Sequence, residues 1–255
     1  MSLSLVIGGQ FTDEGSGVAL ALTGLCGLVL GAINGIAVGY GRVNSLIMTL
    51  GTLAIYGGLA NVVARGQATY LYGSPAYTWT GKGDLLGLPF PLVLFLLVCV
   101  AGTVVLVLTK TGRNIYYTGA SPVAAWYSGV DVARTKTLVF AISGMLAAMA
   151  GPLLASQTNR ITPTLGVGYE LSAIAIAALG GAALDGARGT VIGTLIGALI
   201  YGWLLNILSL SGVETYTEQV LKGCLLIVVV LVFQRMVFRT NLFRKNRAGS
   251  EAAPA

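Results

Sequence analysis

The 255-residue sequence contains no histidine, and Asp, Glu, Lys and Arg together make up only 9% of it. Histidine is the commonest general base and metal ligand near neutral pH, so its absence removes both uses together. Soluble domains carry about 25% charged residues, so a chain this poor in charge is not built to face water on all sides. Cysteine is sparse as well: Cys26, Cys99 and Cys224 each stand alone in an apolar run. No pair has metal-ligand or redox spacing, which leaves them as small apolar packing residues. The sequence has no GxxxxGK[ST] phosphate loop, no HExxH and no GxSxG, so no hydrolytic motif is present. The apolar stretches also lack the midplane Asp, Glu or His of proton- or sodium-coupled pumps. Glu170, Asp185, Arg188 and Lys222 all lie near segment ends. The chain is expected to be no enzyme and to carry no cofactor or metal.

What is present is apolar. Hydrophobic residues make up 55% of the chain, mean hydropathy is +0.83, and there are 36 glycines. Small residues at this frequency suit membrane helices, where they let backbones approach closely. Seven apolar segments stand out, at 17–38, 43–64, 86–109, 137–155, 169–184, 189–209 and 219–235. Most reach the roughly 17–25 residues needed to cross hydrocarbon. The segment 169–184 is short and is expected to cross tilted or broken, or to re-enter where protein covers its backbone. The alternation of a transmembrane β-barrel is absent. The fold class is therefore all-α, a polytopic transmembrane helix bundle of about seven segments. Residues 1–238 are assigned to the membrane domain, and 239–255 to a basic, disordered cytoplasmic tail.

The net charge is +6. The cations flank apolar segments, so they report membrane orientation rather than nucleic-acid binding. With the C-terminus in the cytoplasm and seven crossings, the inside set is Arg42, Lys110, Arg113, Arg134, Lys136, Arg188, Arg235, Arg239, Arg244, Lys245 and Arg247. The outside set is Arg65, Lys82, Arg160 and Lys222, so eleven of the 15 cations are inside. Residue 1 then lies outside, without a basic n-region and with Asp13 and Glu14 interrupting the start.

Two ladders of glycine repeat every four residues: Gly27, Gly31, Gly35 and Gly39, then Gly189, Gly193 and Gly197. Each is expected to give one helix a smooth face for close helix contact. Neutral polar residues punctuate the segments: Asn34, Thr49, Thr52, Tyr56, Asn61, Ser143, Thr194 and Asn206. They either bond back to the backbone and across helices, or line a path for a neutral, hydroxyl-rich solute. Thr49, Tyr56 and Asn61 are the candidates for such a path.

The polar interruption at 110–136 carries the most information. Ser121 fits a helix N-cap, Pro122 the first helical position, and Gly129 a left-handed end. The helix so bounded, 122–128, is about 10 Å long. It carries Val123, Ala124, Ala125, Trp126 and Tyr127. It is too short to cross a membrane and suited either to dock a partner or to rest on headgroups.

At this level the sequence resembles the permease subunits of bacterial ABC sugar importers of the ribose, xylose and arabinose type. The autoinducer-2 and branched-chain amino-acid permeases are more distant relatives. The likeness rests on Gly31-Ala-Ile-Asn-Gly-Ile-Ala-Val38 with Leu46-Ile-Met-Thr-Leu-Gly-Thr-Leu53, on the stretch Gly112–Gly129, on Gly168–Gly181, and on Gly186–Gly197. The resemblance implies partners: ATPase subunits in the cytoplasm, a periplasmic binding protein that delivers the solute, and a second permease subunit, identical or not. It implies that the helix after Ser121 is the coupling element seated in the ATPase, with Ser121, Pro122, Ala124, Ala125, Trp126 and Gly129 carrying that role. Mechanism would be alternating access, driven by contacts that differ between the two ATPase states.

Two departures stand beside the resemblance. Trp126 and Tyr127 are bulkier than expected in that loop, and Gly8-Gly9-Gln10-Phe11-Thr12-Asp13 does not match the Gly-Gly-Ile-Asp-Leu-Ser motif of the family. Upstream helices are therefore expected to be missing, through truncation, an alternative start or a split permease. An amino-acid or autoinducer permease, a passive channel for small neutral solutes and a membrane scaffold remain as other readings. The orientation is tested with Trp126→Cys in a background where the three native cysteines are Ala. A membrane-impermeant thiol reagent should modify it in inside-out vesicles, and modification in intact spheroplasts would reverse the topology.

Overall fold

The computed structural model describes residues 1–10, 16–70, 80–85, 87–183, 186–212, 217, 220, 221, 223 and 224. Two compact units divide the chain, Met1–Val167 and Gly168 onward. The segment expected at 219–235 and the tail 239–255 lie outside the described residues apart from 220, 221, 223 and 224.

Among the described residues the first unit includes the helices α1 (Ser2–Gly9), α2 (Ser16–Gly39), α3 (Ser45–Val63), α4 (Phe90–Leu108), α5 (Lys110–Ala120), α6 (Pro122–Tyr127) and α7 (Val132–Thr158). Four two-residue strands join it: β1 (Thr69–Tyr70), β2 (Asp84–Leu85), β3 (Leu88–Pro89) and β4 (Arg160–Ile161). They pair antiparallel as β1 with β4 and β2 with β3. The second unit contains α8 (Tyr169–Leu179) and α9 (Val191–Leu210). Apart from the short strands in connections, the fold is the expected all-α bundle.

Among the described residues five helices, α2, α3, α4, α7 and α9, are long and apolar enough to cross a membrane. The expected seven are reduced in two ways. The seventh falls outside the described residues, and α8 has only 11 residues. At 1.5 Å per residue that is about 16 Å, roughly half the hydrocarbon thickness. The chain leaves helical geometry at Gly180, so the segment is broken, one of the forms expected for it.

The unit is organised by the antiparallel packing of α2 on α7. A Cβ added at Gly27 would meet the Gly144 carbonyl 2.6 Å away, at Gly35 the Thr137 Cα at 2.6 Å, and at Gly39 the Ala133 carbonyl at 2.6 Å. Gly31 lies against the Phe140 carbonyl, and Gly144 returns the contact on Gly27 and Gly31. The first ladder therefore marks backbone-to-backbone contact along four turns. The second ladder is only partly a ladder. Gly193 and Gly197 press on Gly180 at the end of α8, but Gly189 precedes the Thr190 N-cap and lies outside α9. Repetition every four residues does not reveal where a helix starts. Tyr201 Oη, donating to Ser172 Oγ at 2.9 Å, ties the middle of α9 to the start of α8.

The helix α7 runs 27 residues, about 40 Å, well beyond the segment 137–155. Hydropathy reports the part immersed in hydrocarbon. The polar start of the helix, with Arg134 and Lys136, continues it outside that layer. The helix α1 was not evident in the sequence. It packs among α2, α3, α7 and β4, and Leu5, Val6, Ala19, Ala155 and Ile161 form a buried cluster there. An eight-residue helix has too few turns to show a period.

Charge follows the packing. Arg42 and the first turn of α7 lie at one end of the α2–α7 pair, where Gly39 meets Ala133. Lys82 donates to Asn159 Oδ1 at 3.4 Å at the opposite end, beside Arg160. Thus Arg42, Arg134 and Lys136 are segregated from Lys82 and Arg160, as the inside and outside sets require.

Filling the α2–α7 contact should therefore separate the helices. Gly31→Leu is expected to lower the melting temperature of the purified protein by roughly 5 °C or more, from overpacking of about 1–3 kcal/mol. Gly57→Leu, at a position with nothing within 4 Å, should leave it unchanged in the same thermal assay.

Candidate functional site

The candidate site is built on α6 and the two joints that hold it. The preceding segment, expected as loop, is helical. Thr109 ends α4 in an extended conformation, and its Oγ1 accepts from Gly112 N at 3.2 Å, so it also caps α5. Gly112 permits the sharp corner, since a Cβ there would lie 2.5 Å from the Val105 carbonyl. The sequence of α5, Lys110-Thr-Gly-Arg-Asn-Ile-Tyr-Tyr-Thr-Gly-Ala120, is too polar for a span. That polarity gave it the look of a loop.

Helix α6 has the punctuation read from the sequence. Ser121 Oγ accepts from Ala124 N at 3.3 Å, and Pro122 opens the helix. Gly129 takes φ +79°. Gly129 N donates to the Trp126 carbonyl and Val130 N to the Ala125 carbonyl, both at 3.0 Å. These two bonds are the Schellman arrangement, which satisfies carbonyls that a helix end leaves open. Asp131 then caps α7, its Oδ1 accepting from Arg134 N at 2.9 Å. Little slack remains between the short helix and the long one.

The six residues carried over to the coupling role separate into three kinds. Ser121, Pro122 and Gly129 shape the helix. Ala124 and Trp126 are exposed, Trp126 at 65%. Ala125 is only 2% exposed and turns inward, so it seats α6 on its own chain and offers nothing to a partner. A helix only six residues long has one inward side, and Ala125 occupies it. Val123 and Tyr127, not among those six, are 66% and 78% exposed. With Trp126 they follow the i, i+3, i+4 spacing that places them on one face. The rings of Trp126 and Tyr127 meet edge to face, centroids 5.0 Å apart. That spacing was visible in the sequence and would have identified both residues.

A cleft of about 590 Å³ opens beside this face. Val38 and Gly39 at the end of α2, with Arg42 and Val43 in the turn after it, line one side, and Pro122, Val123, Trp126 and Tyr127 of α6 another. Asp131 and Lys136 close it from α7. No short motif could disclose it, because its walls are some 80 residues apart in sequence and meet only through the α2–α7 pair.

The candidate path residues do not gather into a pocket among the described residues. Thr49 Oγ1 donates to the Ser45 carbonyl at 2.8 Å, and Asn61 Nδ2 to the Gly57 carbonyl at 2.9 Å. Thr52 and Thr194 likewise donate to carbonyls one turn back, so these side chains serve their own helices. Tyr56 differs: its hydroxyl crosses to the Leu30 carbonyl of α2 at 3.2 Å. One turn on from Leu30, Asn34 Oδ1 is buried without a partner among the described residues.

Comparison with known proteins agrees with the fold. The family described as branched-chain amino acid transport system / permease component matches residues 4–230. The ribose import permease protein RbsC of Escherichia coli K12 is 37% identical over 218 residues, covering 84% of this chain and 68% of the relative. RbsC of Bacillus subtilis 168 is 38% identical over 200 residues, covering 78% and 62%. The autoinducer 2 import system permease protein LsrD of Escherichia coli O9:H4 is 38% identical over 219 residues, covering 84% and 66%. The chain thus spans about two thirds of the length of these relatives. No solved structure matches it. A family match over most of the chain, together with five helices of membrane-spanning length, makes this chain a member of that permease family, a multi-pass protein of the bacterial inner membrane.

Proposed function

We propose that the chain is a permease subunit of an ABC importer that carries a sugar of pentose or hexose type into the cell. Separate ATPase subunits supply the energy, a periplasmic binding protein delivers the solute, and a second permease subunit completes the path. The observation that carries this reading is α6. It is a short helix fixed at both ends, presenting Val123, Trp126 and Tyr127 outward. It is joined without slack to α7, a helix packed backbone to backbone against α2. A push on α6 has no flexible element to absorb it before α7 and α2. An external motor needs that property in the part it grips, and the path needs no ionisable group for a neutral solute.

The relatives named ribose import permease favour a sugar. The LsrD relative, at similar identity, favours autoinducer 2 as a second solute. Both are small and rich in oxygen, so uptake has to be measured for each. Uptake of labelled ribose and of autoinducer 2, measured in cells lacking their own importers, separates the two.

Replacing residues 121–129 by a Gly/Ser linker should abolish ATP-dependent uptake and retention of the ATPase, while the chain still inserts in the membrane. Gly129→Val should act in the same direction more weakly, because a β-branched residue resists positive φ. Uptake that persists at the wild-type level with the linker in place would overturn the proposal.

A further inference from the structure

The cleft beside α6 has a charge pattern that the apolar face of that helix does not account for. Its lining includes the apolar side chains of Val38, Val123 and Trp126. Arg42 and Lys136 line it as well. Among the described residues neither cation has an ion-pair partner in the chain. Arg42 is exposed in the α2–α3 turn, where its backbone has φ +53°. Lys136 is half-buried on the second turn of α7. Asp131 also lines the cleft, but one carboxylate oxygen is engaged by Arg134 N in capping α7. Two cations among apolar lining residues, opposed by one capping carboxylate, leave a positive site.

We infer that this cleft receives an acidic side chain, Asp or Glu, from the ATPase subunit, so that Arg42 and Lys136 form a second docking point beside α6. This rests on the reading of α6 as the ATPase-docking helix. The cleft shares Pro122, Val123, Trp126 and Tyr127 with that helix, so a partner covering the aromatic face also covers the cleft. Desolvating two unpaired cations under such a partner is costly unless a carboxylate meets them. The partner surface therefore has an apolar part for Trp126 and an acidic part within the cleft. The pair would also set orientation, since like charge on a wrong ATPase is rejected at this point.

The test uses the full chain, purified in detergent after co-expression with each phosphate-loop ATPase subunit of its host. Binding is measured for wild type, Trp126→Ala and the double variant Arg42→Glu/Lys136→Glu, with melting temperature checking that each is folded. The expected result is that one ATPase is retained by wild type and bound about tenfold or more weakly by the double variant. Wild-type binding should also weaken between low and high salt. Should the double variant unfold, Arg42→Gln/Lys136→Gln replaces it, with the same direction expected. If the charge variants bind normally while Trp126→Ala does not, α6 docks the ATPase and the carboxylate inference is overturned. If the charge variants instead lose co-purifying anionic phospholipid and keep the ATPase, the cleft holds a lipid headgroup and the inference is again overturned. If wild type and Trp126→Ala both bind no ATPase, the docking reading itself fails and takes the inference with it.

Discussion

Contact between the backbones of α2 and α7 is the constraint from which the first unit is built. Hydrocarbon provides no hydrophobic drive for helices to associate, so association depends on how closely they approach and how many atoms touch. Glycine on α2 faces Ala133, Thr137, Phe140, Gly144 and Ala148 on α7, and no large side chain holds the helices apart. The remaining helices take their places from this pair. Helix α1 fills the space at one end, where Leu5 is fully buried. The turn after α2 and the start of α7 are brought together at the other, and α6 lies beside them. In contrast, α4 has no buried residue, as a helix with its sides turned to lipid or to a further subunit would.

Much of this was legible in the sequence, for physical reasons that differ by element. Spans are set by the cost of leaving polar groups in hydrocarbon, and that cost is read directly from composition. The five described spans fall where the apolar runs do. The limits of α6 were legible because capping is local: Ser121, Pro122 and Gly129 each act on atoms within a few residues. The first glycine ladder was legible because a helix repeats.

What the sequence did not disclose depends on partners distant along the chain. Hydropathy could not show that α7 continues helical past Lys136, since the end of hydrocarbon and the end of a helix are different events. It could not show α5, whose polar residues suit a helix lying outside the apolar layer. Nor could it separate Ala125 from Ala124, neighbours of one residue type with opposite exposure. Only seating α6 against its own chain makes that distinction. The cleft is the extreme case, formed by residues near 40 and near 130 that the α2–α7 pair brings together. The threonines of α3 looked like candidate path residues from their chemistry, yet their hydroxyls are already satisfied within one turn.

The joint between α6 and α7 consists of four residues, Ser128 to Asp131, and hydrogen bonds hold each of them to a neighbouring helix end. A connection of this kind fixes phase as well as distance. One residue more or fewer would break this bonding pattern and re-aim α6 relative to α7, and Trp126 would swing away from the cleft it lines with Arg42. The length of this hinge-free link therefore works like the cut of a key: insertions that a surface loop would absorb without effect would leave α6 intact, yet aimed in the wrong direction.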